Sequence, residues 1–159
     1  WNLFGPSYSC YNESSSVHNE GIEVARETVQ EEGMRDRVSL QTGDFLEDEI
    51  GSDYDAVLLF NVIHMCSPEI NASLLHRIFQ ALDSNGLVVI LDQLASQPAS
   101  QLAATLAHLM GLNLFAEVGG RVYTHEEVNR WLSEAGFVNQ RRINLRRAPG
   151  VSLVLGKKP

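Results

Sequence analysis

Four polar positions in this 159-residue chain stand just past apolar runs of strand length: Asp44, Asn61, His64 and Asp92. His64, in "YDAVLLFNVIHMCSPE", has the widest chemistry. A free imidazole titrates near neutrality, which makes histidine the natural general base there. It reads equally as a satisfied histidine at the approach to a helix. Asp92 ends "LVVILD", the strand expected to lie beside the one that precedes His64. Its carboxylate could orient the imidazole or stabilise its protonated form; a plain strand-end loop residue is the alternative. Asp44, in "TGDF", is either a turn aspartate bonding its own backbone or an acceptor for a ligand's exocyclic amine. In the second case Phe45 offers an apolar face to a ring. Cys66 has no basic neighbour in sequence beyond His64 and is read as a buried structural thiol.

These residues need elements to hold them. "EGIEVARETVQEEGM" places Ile22, Ala25 and Val29 at helical spacing from about Glu20, and Gly33 is set to end that helix. "DRVSLQTGDF" predicts a short strand, and residues 55–60 a second one whose unbroken apolar run implies burial on both faces. A helix follows, with Ser67 as N-cap, Pro68 in the first turn and Asn85-Gly86 at its end. Residues 87–92 form a third strand and residues 98–115 an apolar helix, then "EVGGRVYT" is a loop. Thr124 and Glu127 form a capping box for a helix reaching Ala135-Gly136. "FVNQRRINLRR" and "GVSLVLGKK" read as two strands joined at Ala148-Pro149-Gly150, an antiparallel hairpin. Residues 1–19 show no period and are expected to be irregular, with residues 20–159 as the domain proper. The alternation predicts an α/β fold with a mainly parallel sheet, whose ligands bind at the carboxyl ends of the strands. Asp44, Asn61, His64 and Asp92 all fall on that rim.

Composition removes several function classes. Twelve basic residues against twenty acidic ones give a formal charge of −8, which argues against a polyanionic nucleic-acid partner and an anionic membrane surface. No apolar run approaches the roughly 18 residues of a membrane span, and no secretory signal pattern opens the chain. Cys10 and Cys66 are too few for a disulfide framework and lack metal-ligand spacing, so no metal is expected. A soluble cytoplasmic protein follows. No glycine-rich phosphate loop, HExxH or G-x-S-x-G is present. A nicotinamide-dependent oxidoreductase therefore lacks its fingerprint.

Taken in order, "IEVARETV", "DRVSLQTGDF", "YDAVLLFNVIHMCSPE", "LLHRIFQALDSNGLVVILD", "GGRVYTHEEVNRWLSEAGF" and "SLVLGKK" resemble the small-molecule O-methyltransferases that use S-adenosylmethionine, the caffeic acid O-methyltransferase group and its bacterial natural-product relatives. The resemblance covers about 140 residues, from Glu20 onward. It implies a Rossmann-like class I methyltransferase sheet with a C-terminal antiparallel hairpin. It also implies S-adenosylmethionine as cofactor and a small aromatic or polyketide-like molecule carrying a hydroxyl as acceptor, while strand edges left open by a missing sheet centre would favour a homo-oligomer. His64 matches the base that deprotonates the acceptor hydroxyl, and Asp92 an acidic residue flanking it. Asp44 would accept from the adenine amino group, Phe45 would pack on the adenine ring, and Asn61 joins them on the cofactor side. The sequence departs from the family at Met65, where an Asp is frequent, and at Val122, where many plant members carry a second catalytic Glu. The position of the ribose-binding acid aligns with Val17, and the first strand with its glycine-rich loop and the second strand have no counterpart. The resemblance thus implies a truncated domain with an incomplete N-terminal part, impaired alone. The alternative is a non-catalytic binding or assembly module derived from the same fold.

Overall fold

The computed structural model describes residues 8–10, 18–41, 43–95, 105, 109, 111–112, 121–145 and 151–159. The chain divides into two compact units, Trp1–Gly51 and Ser52–Pro159, so the boundary expected after residue 19 falls inside the first.

In the first unit, strand β1 (Tyr8–Cys10) pairs in parallel with β2 (Val38–Leu40), and helix α1 (His18–Glu31) connects them. The strand at Tyr8–Cys10 lies within the segment expected to be irregular. Its three residues have no alternation long enough to read, and the pairing with β2 is what makes them a strand. Helix α1 starts two residues before the first periodic position and buries Ile22. Gly33 follows it with φ 64°, the left-handed conformation that closes a helix at little cost only for glycine.

The second unit is a five-stranded sheet, built from β3 (Tyr54–Phe60), β4 (Leu82–Ala95), β5 (Tyr123–Thr124), β6 (Val138–Asn144) and β7 (Val151–Lys157). The main path runs β3-β4-β7-β6, with β5 continuing off the end of β4. The pairs β3–β4 and β4–β5 are parallel, whereas β4–β7 and β6–β7 are antiparallel. The closing hairpin therefore inserts β7 beside β4 and leaves β6 at the edge. Helices α2 (Pro68–Ala81) and α3 (His125–Ala135) carry the apolar stripes that meet the sheet. Period-two alternation along β4 buries Val88, Ile90, Asp92 and Leu94, and β7 contributes Val154. Leu75 and Ile78 from α2, with Val128 and Leu132 from α3, complete that core. The opposite face keeps Leu58, Phe60, Leu87 and Ile143 exposed, so β3 is not buried on both sides as its composition predicts.

Two further boundaries differ from the sequence reading. Helix α2 ends at Ala81, not at Asn85-Gly86, and β4 begins at once with Leu82 paired to Tyr54. The Lys158 ammonium decides this: it donates to the Phe79 and Leu82 carbonyls at 2.8 and 2.6 Å, satisfying the helix end from the far terminus of the chain. Asn85 then turns the bulge at φ 69°. Tyr123–Thr124, expected within a loop, pair with Leu94–Ala95, because Tyr123 buries its ring against Trp131. The apolar helix expected over 98–115 lies mostly outside the described residues. Thr105, Leu109, Gly111 and Leu112 within it are helical, and Leu109 and Leu112 are exposed. The turn at 148–150 also lies outside them. Among the described residues no helix is long and apolar enough to cross a membrane.

Candidate active site

Strand β3 ends where Asn61 takes φ 57°, a left-handed conformation that asparagine tolerates better than most residues. The Asn61 N–H still donates to the Leu91 carbonyl at 2.9 Å, so the ladder is complete to the last residue before the chain swings away. The short 3₁₀ turn Ile63–Met65 follows and carries His64. Ser67 then caps α2, its hydroxyl accepting from Ile70 N–H, and Pro68 occupies the first turn as expected.

The register of β3 against β4 aligns Phe60 with Leu91, which brings Asp92 level with the start of that turn. His64 Nδ1 lies 2.7 Å from Asp92 Oδ1, and the His64 N–H reaches Asp92 Oδ2 at 3.4 Å. The Gln93 N–H donates to Asp92 Oδ1 at 2.7 Å. The Asp92 side chain is 0% exposed and that of His64 12% exposed. A buried carboxylate survives in a core only when it is paired and hydrogen-bonded, and here three donors meet it. Because a carboxylate only accepts, Nδ1 of the neutral ring must carry the proton. Nε2 is then the nitrogen with a free lone pair, on the far side of the ring. Such a pair can take a proton at Nε2 and stabilise the resulting imidazolium through Asp92.

The turn is held by residues the sequence reading did not single out. Asn71, fully buried on α2, donates from Nδ2 to the Ile63 carbonyl at 2.9 Å and the Cys66 carbonyl at 3.3 Å. The Tyr123 hydroxyl donates to the Cys66 carbonyl at 2.5 Å, and the Arg121 N–H donates to the His64 carbonyl at 2.9 Å. Burial pushes the Tyr123 phenol up, Glu127 and Cys66 add to this, and the opposing pull of Arg121 and Asn71 does not reverse it. The hydroxyl is therefore a donor at neutral pH. Asp92 also faces Ser152, buried on β7, in register. A signal existed for both missed polar residues. Asn71 sits on the stripe of Leu74, Leu75 and Ile78, and Ser152 alternates with Val154, so each is a polar residue at a core position. Cys66 is half-buried rather than buried.

Asp44 and Phe45 stand in the first unit, apart from this constellation in the chain. Asp44 Oδ1 accepts from the Leu46 N–H at 2.8 Å, and the Asp44 carbonyl accepts from the Asp48 N–H at 2.7 Å. The turn-aspartate reading is thus realised in one oxygen. Phe45, the next residue, is half-buried. Among the described residues no three His, Cys, Asp or Glu side chains converge on a metal position.

Residues 18–138 match the O-methyltransferase domain family. The chain belongs to that family. The O-methyltransferase domain is 31% identical over 135 residues to 3-hydroxy-5-methyl-1-naphthoate 3-O-methyltransferase of Streptomyces sahachiroi, covering 85% of this chain and 39% of that protein. It is 30% identical over 124 residues to the tetracenomycin polyketide synthesis 8-O-methyl transferase TcmO of Streptomyces glaucescens, covering 78% of this chain and 35% of the other. A solved structure described as a putative O-methyltransferase from Nostoc punctiforme superposes with a TM-score of 0.77 at 27% identity, over 94% of this chain and 43% of that one. The O-methyltransferase domain described here therefore spans about two fifths of the length of the first of these relatives. Its α/β sheet is that of the class I methyltransferases, with the antiparallel hairpin at its C-terminal end.

Proposed function

We propose that the complete protein transfers a methyl group from S-adenosylmethionine to a hydroxyl of a small aromatic or polyketide-like molecule, with His64 as general base and Asp92 as its orienting partner. The observation that carries this reading is the His64 Nδ1–Asp92 contact of 2.7 Å on the carboxyl rim of the parallel β3–β4 pair. The naphthoate and tetracenomycin names of the two relatives support a flat phenolic acceptor. When bound, S-adenosylmethionine supplies an electrophilic methyl group on a sulfonium. By the family resemblance Asp44 and Phe45 are proposed for the adenine end of that cofactor; Asn61, also proposed for the cofactor, closes β3 three residues before His64. No glycine-rich turn after a strand stands in this sequence to receive the ribose and methionine, so the chain's own residues fit only part of the cofactor. What this chain contributes to the reaction is the proton acceptor: His64 Nε2 takes the acceptor's hydroxyl proton, and the oxygen becomes a competent nucleophile. The exposed apolar face of Leu58, Phe60, Leu87 and Ile143 supports a homo-oligomer.

The test is methyl transfer by the complete protein to a panel of hydroxylated naphthoates and related polyketide phenols, for wild type and His64→Ala. The variant is expected to lose roughly 10²- to 10⁴-fold in kcat, with the affinity for S-adenosylmethionine within about twofold. A variant that keeps its turnover rules out His64 as the base. Equal loss of turnover and cofactor affinity would make it a structural residue instead.

A further inference from the structure

The turn that carries His64 is short and lies outside the sheet ladder. A 3₁₀ turn of three residues leaves most of its carbonyls without partners inside the turn and is soft on its own. Here the carbonyls of Ile63, His64 and Cys66 are all engaged from outside. Asn71 Nδ2 holds Ile63 and Cys66, the Arg121 N–H holds His64, and the Tyr123 hydroxyl holds Cys66. The donors come from α2 on one side and, on the other, from β5 and from Arg121, two residues before it. The turn is thereby clamped at both ends while Asp92 holds the ring.

The two side chains of this clamp look costly for packing alone. Asn71 occupies a core position where leucine would suit the stripe, and its Oδ1 is buried with no hydrogen-bond partner. What the amide adds at this position is the pair of Nδ2 hydrogen bonds to the Ile63 and Cys66 carbonyls, which a leucine cannot make. Tyr123 is similar: its ring is buried against Trp131, where phenylalanine would pack as well, but its hydroxyl reaches across 57 residues of sequence to the Cys66 carbonyl. Arg121 lies over the Tyr123 ring at 4.3 Å and pairs with Glu127, whose carboxylate also closes the capping box of α3. The hydroxyl is therefore aimed by the N-terminus of α3.

We infer that Asn71 and Tyr123 are positioning residues for His64: together they set the turn so that Nδ1 meets Asp92 and Nε2 faces the acceptor. The consequence for catalysis rests on the reading of His64 as the base; the consequence for the ring does not. The experiment uses the complete protein labelled with ¹⁵N-histidine, as wild type and as Tyr123→Phe, Asn71→Ala and His64→Ala. Val128→Ala, a core truncation in α3 that leaves the turn untouched, controls for lost stability. His64→Ala identifies the Nδ1 proton resonance of His64 by its disappearance.

Tyr123→Phe and Asn71→Ala are expected to broaden or shift that resonance and to lower kcat by about 10- to 100-fold, the scale of a small misplacement of a reacting group. The KM for the acceptor should change by less than about twofold, because the clamp does not touch it. Val128→Ala should lower the melting temperature and leave both the resonance and kcat as in wild type. An unchanged His64 resonance in both clamp variants overturns the inference, whatever happens to turnover. A resonance that moves while kcat holds, in an enzyme that His64→Ala inactivates, overturns it as well. If His64→Ala is itself active, the base reading has failed, and the resonance alone decides whether the clamp sets the ring.

Discussion

Asp92 occupies a core-facing position of β4 between Ile90 and Leu94, and the donors it meets from His64 and Gln93 make that tolerable. The same contacts determine what the histidine can do, since an acceptor-only partner leaves Nε2 basic. Asp92→Asn should therefore fold but lose roughly 10²-fold or more in kcat, because an amide can present its NH₂ group to Nδ1 and favour the wrong tautomer. Steady-state kinetics with a thermal melt would check this; a variant with normal turnover would mean that the carboxylate is structural. A second histidine behaves differently. Burial, helped by the Arg142 guanidinium and opposed by Glu126, holds the His125 imidazole below its ordinary value. The unfolded chain then binds that proton first as pH falls below about 6.5. Stability from this group is complete above that value and is lost as pH falls through the folded one. Urea midpoints between pH 7 and 5 should decline less steeply for His125→Gln than for wild type. Glu127 gives a separate window: burial would raise its carboxyl, but hydrogen bonds from Thr124 and the charge and contact of Arg121 outweigh that and lower it. Its contribution is fully present above about pH 4.5 and is lost as pH falls through the lowered folded value.

At the scale of elements, the legible parts were those with local causes. The capping box of Thr124 and Glu127 opens α3 at His125, with mutual hydrogen bonds at the N-cap, and Ser67 with Pro68 opens α2. Gly136 closes α3 at φ 105°. A Cβ there would also come within 3.0 Å of the Phe79 ring, so both the conformation and the space require glycine. Gly136→Ala should destabilise the protein by roughly 1–3 kcal/mol, seen as a lower urea midpoint with unchanged slope; a neutral effect would show that the helix end relaxes freely. The ends of α2 and β5 were misread because their causes are distant. Lys158 caps α2 from across the sequence, and Tyr123 becomes a strand only when it pairs with Leu94.

For the molecule as a whole, the two compact units carry different shares of the expected site. Asp44 and Phe45 belong to Trp1–Gly51, while Asn61, His64 and Asp92 belong to Ser52–Pro159. The second unit holds the hydrogen-bonded His64–Asp92 pair and the donors that hold its turn. No glycine-rich loop motif occurs in these 159 residues, and a cofactor held at one end only would bind weakly. Calorimetric titration of the 159-residue chain with S-adenosylmethionine should accordingly show no micromolar binding; a micromolar dissociation constant would mean that other residues of this chain complete the cradle.

The order of α1, β2, β3, α2, β4, α3, β6 and β7, the N-caps of α2 and α3, and the placement of His64 and Asp92 at neighbouring strand ends were legible in the sequence alone. Each depends on periodicity or on residues within a few positions of one another. Register, in contrast, is a relation between strands, and it was the β3–β4 register that brought Asp92 to His64 at 2.7 Å. The turn clamp likewise joins Asn71 and Tyr123 to carbonyls on a third segment, a convergence that no local pattern encodes. Tertiary structure decided these contacts because a buried hydrogen bond depends on distance and direction in space, and side chains far apart in sequence acquire both only when the sheet and helices have packed.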